Sequence, residues 1–338
     1  MTILIWGAGA IGGTLGAAFL RAGHDVAFVD AAADHVAAIN AGGLRIDGPI
    51  WQDIVHATAC LPDDVPGMFD TIFLCVKAHH TEAAAAALAP HLAAEGCVVS
   101  AQNGLNELVI ARHVGRSRTV GCFVNFGADY LAPGIVHYSG RGAVVVGELD
   151  GSLTPRVERL HALLREFEPA AVLTPNIWGY LWGKLIYGAL LFATALTDDS
   201  IADVLEAPDW RDLLTRLGQE VGAVAAAEGV TLLGFDGFDP AAFAPGAPQV
   251  LIDASFAEMV AHNRRSAKSH SGIWRDLAVR RRPTEADAQL GPIVEAGARH
   301  GLATPLTRQV IAMIHQAETG ARPLARANLA ELAGAVSA

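Results

Sequence analysis

The chain has 338 residues, enough for two domains, and its 24 Lys and Arg against 35 Asp and Glu give a net charge of −11. That balance argues against a general nucleic-acid binder, because phosphate contacts require a basic surface. With 52% hydrophobic and 17% charged residues, the chain is not a disordered polymer and has material for large cores.

Two apolar stretches raise the question of a membrane. The first twenty residues carry no Asp, Glu, Lys or Arg, and the first charge is Arg21. A secretory signal needs basic residues ahead of its apolar segment, so this order is the wrong one. The run Leu185–Thr197 is apolar for 13 residues with Lys184 at its head, short of the roughly 20 that a spanning helix needs. The expectation is a soluble, cytoplasmic protein that contacts neither membrane nor nucleic acid. Cys60, Cys75, Cys97 and Cys122 form no CxxC pair and read as buried, reduced thiols. His79-His80 lacks a partner at ligand spacing, so no metal is expected.

In chain order, Ile3–Trp6 reads as a buried strand, followed by glycines and a helix from Ile11 to Ala22. Asp25–Val29 is the next strand and His35–Asn40 a helix. Thr71–Val76, Val98–Ala101 and Val120–Phe126 continue as strands, with an alanine-rich helix over Thr81–Ala94. Alternation of this kind predicts a parallel sheet covered on both faces. Pro133–Glu148 reads as an antiparallel strand pair turning at Gly140–Gly142, and Val157–Phe167 as a helix. Beyond Pro175 helical patterns dominate: Ile177–Thr194, Asp209–Glu228, Val250–His262, Glu285–His300, Pro305–Glu318 and Ala325–Ala333. Residues 230–249, rich in Gly, Pro and Phe, read as a long loop. The expected architecture is a Rossmann-type, doubly wound α/β domain over residues 1–174 and an all-α domain over 175–338.

Gly7-Ala8-Gly9-Ala10-Ile11-Gly12 follows the first strand and opens the first helix. In that context a GxGxxG run carries a mechanism. The first glycine permits the tight turn, the second lets backbone approach a pyrophosphate, and the third permits close helix–strand packing. Ala10 and Ile11 contribute N–H groups at the helix start. Asp30 ends the second strand, where a carboxylate accepts from both ribose hydroxyls and repels a 2′-phosphate. No arginine follows within five residues, so NAD is favoured over NADP. Asp30 could also cap the helix that follows it.

Together with GAGAIGG at the N-terminus, five further ordered motifs resemble the ketopantoate reductase (2-dehydropantoate 2-reductase) family: Phe73-Leu74-Cys75-Val76-Lys77, Gln102-Asn103-Gly104-Leu105, Pro133-Gly134-Ile135-Val136-His137, Trp182-Gly183-Lys184-Leu185 and Pro283-Thr284-Glu285-Ala286-Asp287. A late Thr304-Pro305 also fits. The resemblance covers nearly the whole chain. It implies that Lys77 lies near the cofactor phosphates or ribose, and that Asn103 sits by nicotinamide and substrate. It further implies that Lys184 is the general acid/base and that Glu285 orients substrate or lysine. The chemistry agrees, since hydride delivery to a ketone leaves an alkoxide that needs a positioned proton donor.

The sequence also departs from the family. Asparagines usual four and eight residues after the lysine, on its helix face, are replaced by Gly188 and Phe192. Loss of two hydrogen-bonding side chains puts ketopantoate itself in question. Residues 261–285 hold seven of the 24 cations and only two acids. Such clustering suggests an anion site, with Lys268, Ser271 and Arg275 as candidate contacts to a small anionic substrate.

The resulting expectation is an NAD-dependent oxidoreductase interconverting a hydroxy acid, or a sugar-acid-like alcohol, and its oxo form. Two alternatives stay open: 2-dehydropantoate 2-reductase proper, with the missing amides supplied from elsewhere, and a non-catalytic NAD-sensing regulator on the same fold. An apolar helical second domain suggests a homodimer.

Overall fold

The computed structural model describes residues 2–265 and 269–334. The chain divides into two compact units, the first ending at Ile177 and the second beginning at Trp178.

The first unit is built on an eight-stranded sheet. In chain order its members are β1 (Thr2–Trp6), β2 (Asp25–Val29), β5 (Ala59–Cys60), β6 (Phe69–Leu74), β7 (Leu92–Ser100), β8 (Thr119–Val124), β11 (Val144–Glu148) and β12 (Val172–Leu173). Their spatial order is β12-β11-β8-β7-β6-β1-β2-β5. All neighbours run parallel except β11 against β8. Successive residues of β1 enter different cores. Ile3 and Ile5 pack with Leu15, Phe19 and Phe28, whereas Leu4 and Trp6 pack with Ile72, Leu88 and Ile110. This two-faced burial is why the strands read as continuous apolar runs, and it is the mark of a doubly wound sheet.

The helices of this unit are α1 (Ala10–Arg21), α2 (Ala33–Gly42), α3 (Thr81–Leu88), α4 (Asn106–Val114) and α5 (Pro155–Phe167). The predicted helix over Thr81–Ala94 is shorter than expected. Pro90 follows a run of alanines that favour helix, lacks an N–H and clashes with the preceding turn, so the chain passes through a single tight turn and enters β7 at Leu92.

The predicted antiparallel pair over Pro133–Glu148 is also corrected. A second, four-stranded sheet, ordered β4-β3-β10-β9, joins β3 (Leu44–Asp47), β4 (Asp53–Val55), β9 (Gly127–Ala132) and β10 (Ile135–Gly140). The hairpin therefore turns at Pro133-Gly134, with β10 antiparallel to β9 and parallel to β3, while β11 belongs to the large sheet. Gly134 supplies the positive φ (73°) that the turn requires. The small sheet covers α1: a Cβ on Gly13 would meet Val136 at 3.1 Å and Leu44 at 3.3 Å.

The described residues of the second unit are helices and their connections, apart from an isolated bridge between Phe235 and Phe238. The helices are α6 (Ile177–Thr194), α7 (Ile201–Glu206), α8 (Arg211–Ala227), α9 (Gln249–Arg265), α10 (Gly272–Trp274), α11 (Ala286–Arg299), α12 (Pro305–Glu318) and α13 (Arg326–Gly334). The expected long loop joins α8 to α9, with one tight helical turn over Pro240–Phe243, and its aromatic rings belong to the core. Phe235, Phe238 and Phe243 are buried and continue as ring contacts at 5.4 and 5.5 Å to Phe256 of α9 at 5.9 Å. Gly218 of α8 makes room for this, since a Cβ there would lie 2.2 Å from the Phe243 ring. Among the described residues no helix is long and apolar enough to cross a membrane.

Candidate active site

Because β1, β2, β6 and β7 are parallel neighbours, their C-terminal ends lie along one edge of the large sheet, where doubly wound folds bind ligands. The glycine-rich loop, Asp30, Lys77 and Asn103 follow these four ends in turn.

The glycines of the loop divide by cause. Gly7 has φ +98° and a Cβ there would meet Val76 N at 2.9 Å, so the turn itself needs glycine. A Cβ on Gly12 would lie 2.0 Å from Gly7 O and 2.9 Å from the Cys75 side chain, so helix–strand packing needs glycine. Gly9, the residue before α1, has nothing within 4 Å of its Cβ position. The fold leaves open space there. That open cradle, at a helix start with no acidic residue in its first turn, fits a dinucleotide pyrophosphate. Gly9, Ala10, Ile11 and Gly12 would hold it.

Asp30 braces the loop. Its Oδ2 accepts from Ala8 N–H and its Oδ1 from Ala32 N–H, both at 2.9 Å. Each oxygen keeps a second lone pair, so capping and ribose binding are compatible. Sequence reading missed the second brace. His35 is fully buried; its Nδ1 accepts from Gly134 N–H at 2.8 Å, which leaves Nε2–H to donate to Ala8 O at 2.9 Å. The neutral ring thus ties the loop to the small sheet. Its partner Gly134 is 99 positions away, so no local pattern signals it.

Lys77 and Asn103 are linked through a buried polar chain. Gln102 Nε2 donates to Val76 O at 2.7 Å and to Thr81 Oγ1 at 2.8 Å; Thr81 donates to Asn106, and Asn106 to Asn103 O. This chain fixes the backbone on either side, while the Asn103 side chain is exposed and Lys77 half-buried.

Beside this network Glu107 is fully buried, and among the described residues neither carboxyl oxygen has a hydrogen-bond partner. Burial pushes the Glu107 carboxyl up to about 7 from its ordinary 4.5, outweighing the smaller downward pulls of its own backbone N–H and of the Ser100 hydroxyl. Below pH 4.5 the group is protonated in both folded and unfolded chains. Between 4.5 and 7 the unfolded chain loses its proton first, so stability falls as pH rises, by about 3 kcal/mol in all. Glu107→Gln is expected to flatten this slope in urea unfolding run across that range. A stability difference between variant and wild type that does not change with pH would contradict it.

In the second unit, α6 is an 18-residue helix whose only charged residue is Lys184. Lys184 is half-buried, as is Gly188 one turn later, and Phe192 a further turn on is fully buried. The Gly188 Cβ position meets a single group within 4 Å, Gln289 Oε1 at 3.9 Å. Glu285 stands immediately before α11 but its side chain does not cap it; Thr284 Oγ1 accepts from Ala286 N–H instead. Ser271 is buried and caps α10, accepting from Trp274 N–H at 3.1 Å, which leaves its hydroxyl proton for another acceptor.

Three of the seven cations of the basic segment are ion-paired locally. Asp276, buried at the start of a π-helical turn over Arg275–Arg280, accepts from Arg280 and Arg282, and Arg264 pairs with Asp203 and Glu206. Arg275 is half-buried. Lys268 lies outside the described residues. His270 stacks on Trp274 at 4.1 Å between ring centroids.

Residues 3–151 match the family described as ketopantoate reductase PanE/ApbA, and residues 176–318 match its C-terminal region. The 2-dehydropantoate 2-reductase of Archaeoglobus fulgidus is 30% identical over 321 residues, covering 94% of this chain and 98% of the relative. A crystal structure of a ketopantoate reductase from Ralstonia eutropha is 28% identical and superposes with a TM-score of 0.79, covering 95% of this chain and 99% of that one. D-mandelate dehydrogenase, solved with NADH and anilino(oxo)acetate, shares the fold at a TM-score of 0.82 and 22% identity, over 95% and 99% of the two chains.

Proposed function

This chain belongs to the ketopantoate reductase family and is an oxidoreductase acting on CH–OH groups with a nicotinamide cofactor; from that premise we propose that it is an NAD-dependent dehydrogenase interconverting a 2-hydroxy acid and its 2-oxo acid, with Lys184 as the proton donor and acceptor. The observation that carries this reading is the single lysine of α6, held half-buried on an otherwise uncharged helix. A lysine there is removed from bulk water without leaving the surface, which suits a group that passes a proton to a substrate.

The nicotinamide, when bound, gives or takes the hydride. Lys184 Nζ supplies the proton to the oxygen that gains charge during reduction, or takes it from the alcohol during oxidation. By the family resemblance Asn103, which follows β7, would serve the nicotinamide and Glu285 would orient substrate or lysine. Arg275, Ser271 and Lys268 would complement the carboxylate. With hydrogen at Gly188 and the buried phenyl of Phe192, α6 itself offers no amide on its lysine face. This favours 2-oxo acids with a bulky apolar substituent, the class to which the D-mandelate dehydrogenase ligand anilino(oxo)acetate belongs. A homodimer is part of the same proposal.

Asp30 carries the cofactor preference, because its carboxylate repels a 2′-phosphate. Steady-state reduction of 2-oxo acids is expected to show kcat/KM at least about tenfold higher with NADH than with NADPH, about 1.4 kcal/mol of discrimination. A preference for NADPH would remove this part of the reading.

A further inference from the structure

We propose that the Gln289 carboxamide is a substrate-binding group, reaching from α11 into the notch that Gly188 leaves on the lysine face of α6. The inference rests on the dehydrogenase reading above and names how that site recognises its acid.

Gln289 is the one polar residue on the buried face of α11, among Ala286, Leu290, Ile293, Ala296 and Gly297. It is 9% exposed, and its carboxamide stands among apolar neighbours on that face. Placing an amide on an apolar helix face costs part of its hydration, which an apolar side chain of similar size would avoid. The arrangement makes sense where a ligand completes it. The position is also specific. Gln289 Oε1 is the group nearest the missing side chain of Gly188, at 3.9 Å from the Cβ position. Gly188 follows Lys184 by one helical turn, so the Cβ position that Gln289 approaches lies about 5–6 Å along the helix face from the lysine Cβ. On α11 it lies one turn beyond Glu285, with its own N–H bonded to Glu285 O at 2.9 Å.

Both amide functions suit a 2-hydroxy acid. The NH2 group donates to the carboxylate, and the carbonyl accepts from a hydroxyl. The amide thus comes from α11 instead of from α6. A side chain longer than alanine at position 188 would then compete with Gln289 for the same space.

The test uses the full-length enzyme with NADH and two probes, ketopantoate and phenylglyoxylate. Gln289→Met conserves volume and removes the amide. It is expected to raise KM for the acid that wild type uses by about tenfold or more. The kcat should stay within about threefold, with NADH Kd unchanged and no lower Tm. Gly188→Asn combined with Gln289→Ala, which returns an amide to α6, is expected to recover part of the lost affinity. KM within about twofold of wild type in Gln289→Met, or losses of NADH affinity and Tm that parallel the activity loss, would overturn the inference. If Lys184→Ala abolishes turnover while Gln289→Met is neutral, only the role of Gln289 fails. A wild-type enzyme that neither reduces nor binds either acid overturns the parent reading and this inference together.

Discussion

Lys184→Ala is expected to lower kcat/KM for 2-oxo acid reduction about a thousandfold, within the hundred- to ten-thousandfold contributed by a positioned general acid. The expectation follows from charge development. As hydride reaches the ketone carbon, negative charge builds on oxygen, and Lys184 is the only Asp, Glu, Lys, Arg or His along α6. NADH affinity should be unchanged, because the lysine acts on the substrate oxygen. Lys184→Arg separates proton transfer from charge. Arginine keeps a cation at the site but does not release its proton in the working pH range, so its kcat should stay within about tenfold of the alanine variant. Recovery of near wild-type kcat by arginine would show that the lysine serves as an electrostatic anchor, and turnover by the alanine variant at wild-type rate would remove it from the chemistry.

The second large effect separates two glycines that look alike in the sequence. Gly12→Ala places a methyl 2.0 Å from Gly7 O, 2.8 Å from Ile5 and 2.9 Å from Cys75. Backbone and a close-packed strand cannot yield cheaply, so a loss of about 3 kcal/mol or more in stability is expected, read by urea unfolding. Gly9→Ala meets no protein atom within 4 Å. Its stability cost should not exceed about 1 kcal/mol, the value of a poorer helix cap. Its NADH Kd should nevertheless rise about tenfold or more, because the methyl occupies the space that the pyrophosphate needs. Wild-type NADH affinity in Gly9→Ala would mean that the open cradle is not where the dinucleotide lies.

The contrast between Gly9 and Gly12 shows what could be read from the chain and what could not. The fingerprint, its strand–turn–helix setting and the change to helices after Pro175 were legible because each is a local pattern. The two-faced burial of β1 was legible for the same reason, as an uninterrupted apolar run. The small sheet was not. β3 and β4 have four and three residues, and β10 pairs in parallel with β3 from far along the chain. The two strands of 133–148 alternate well, but local alternation does not say which sheet each joins. In the helical unit the long loop was legible, but the burial of its Phe235, Phe238 and Phe243 was not.

The candidate site divides along the same line. Proposed site residues that carry a local motif could be named from the sequence: the glycines, Asp30, Lys77, Asn103, Lys184 and Glu285. Residues defined by tertiary neighbours were not. His35 reads as an ordinary helix residue until Gly134 and Ala8 are seen on its two nitrogens. Gln289 reads as a polar residue near a helix start until Gly188 is seen beside it. The absence of asparagines at 188 and 192 was plain in the sequence, but the amide that stands near the gap could be found only in the fold. The basic segment shows the reverse. Its charge count was legible, while the pairing of Arg280 and Arg282 with Asp276 was not.

The most direct measurement is the appearance of reduced nicotinamide when the wild-type protein is mixed with NAD and a panel of 2-hydroxy acids that includes pantoate and mandelate. The predicted result is NAD reduction by at least one acid, at least about tenfold slower with NADP and abolished by Lys184→Ala. A protein that binds NADH but reduces NAD with none of these acids, and oxidises NADH with none of their oxo forms, would contradict it.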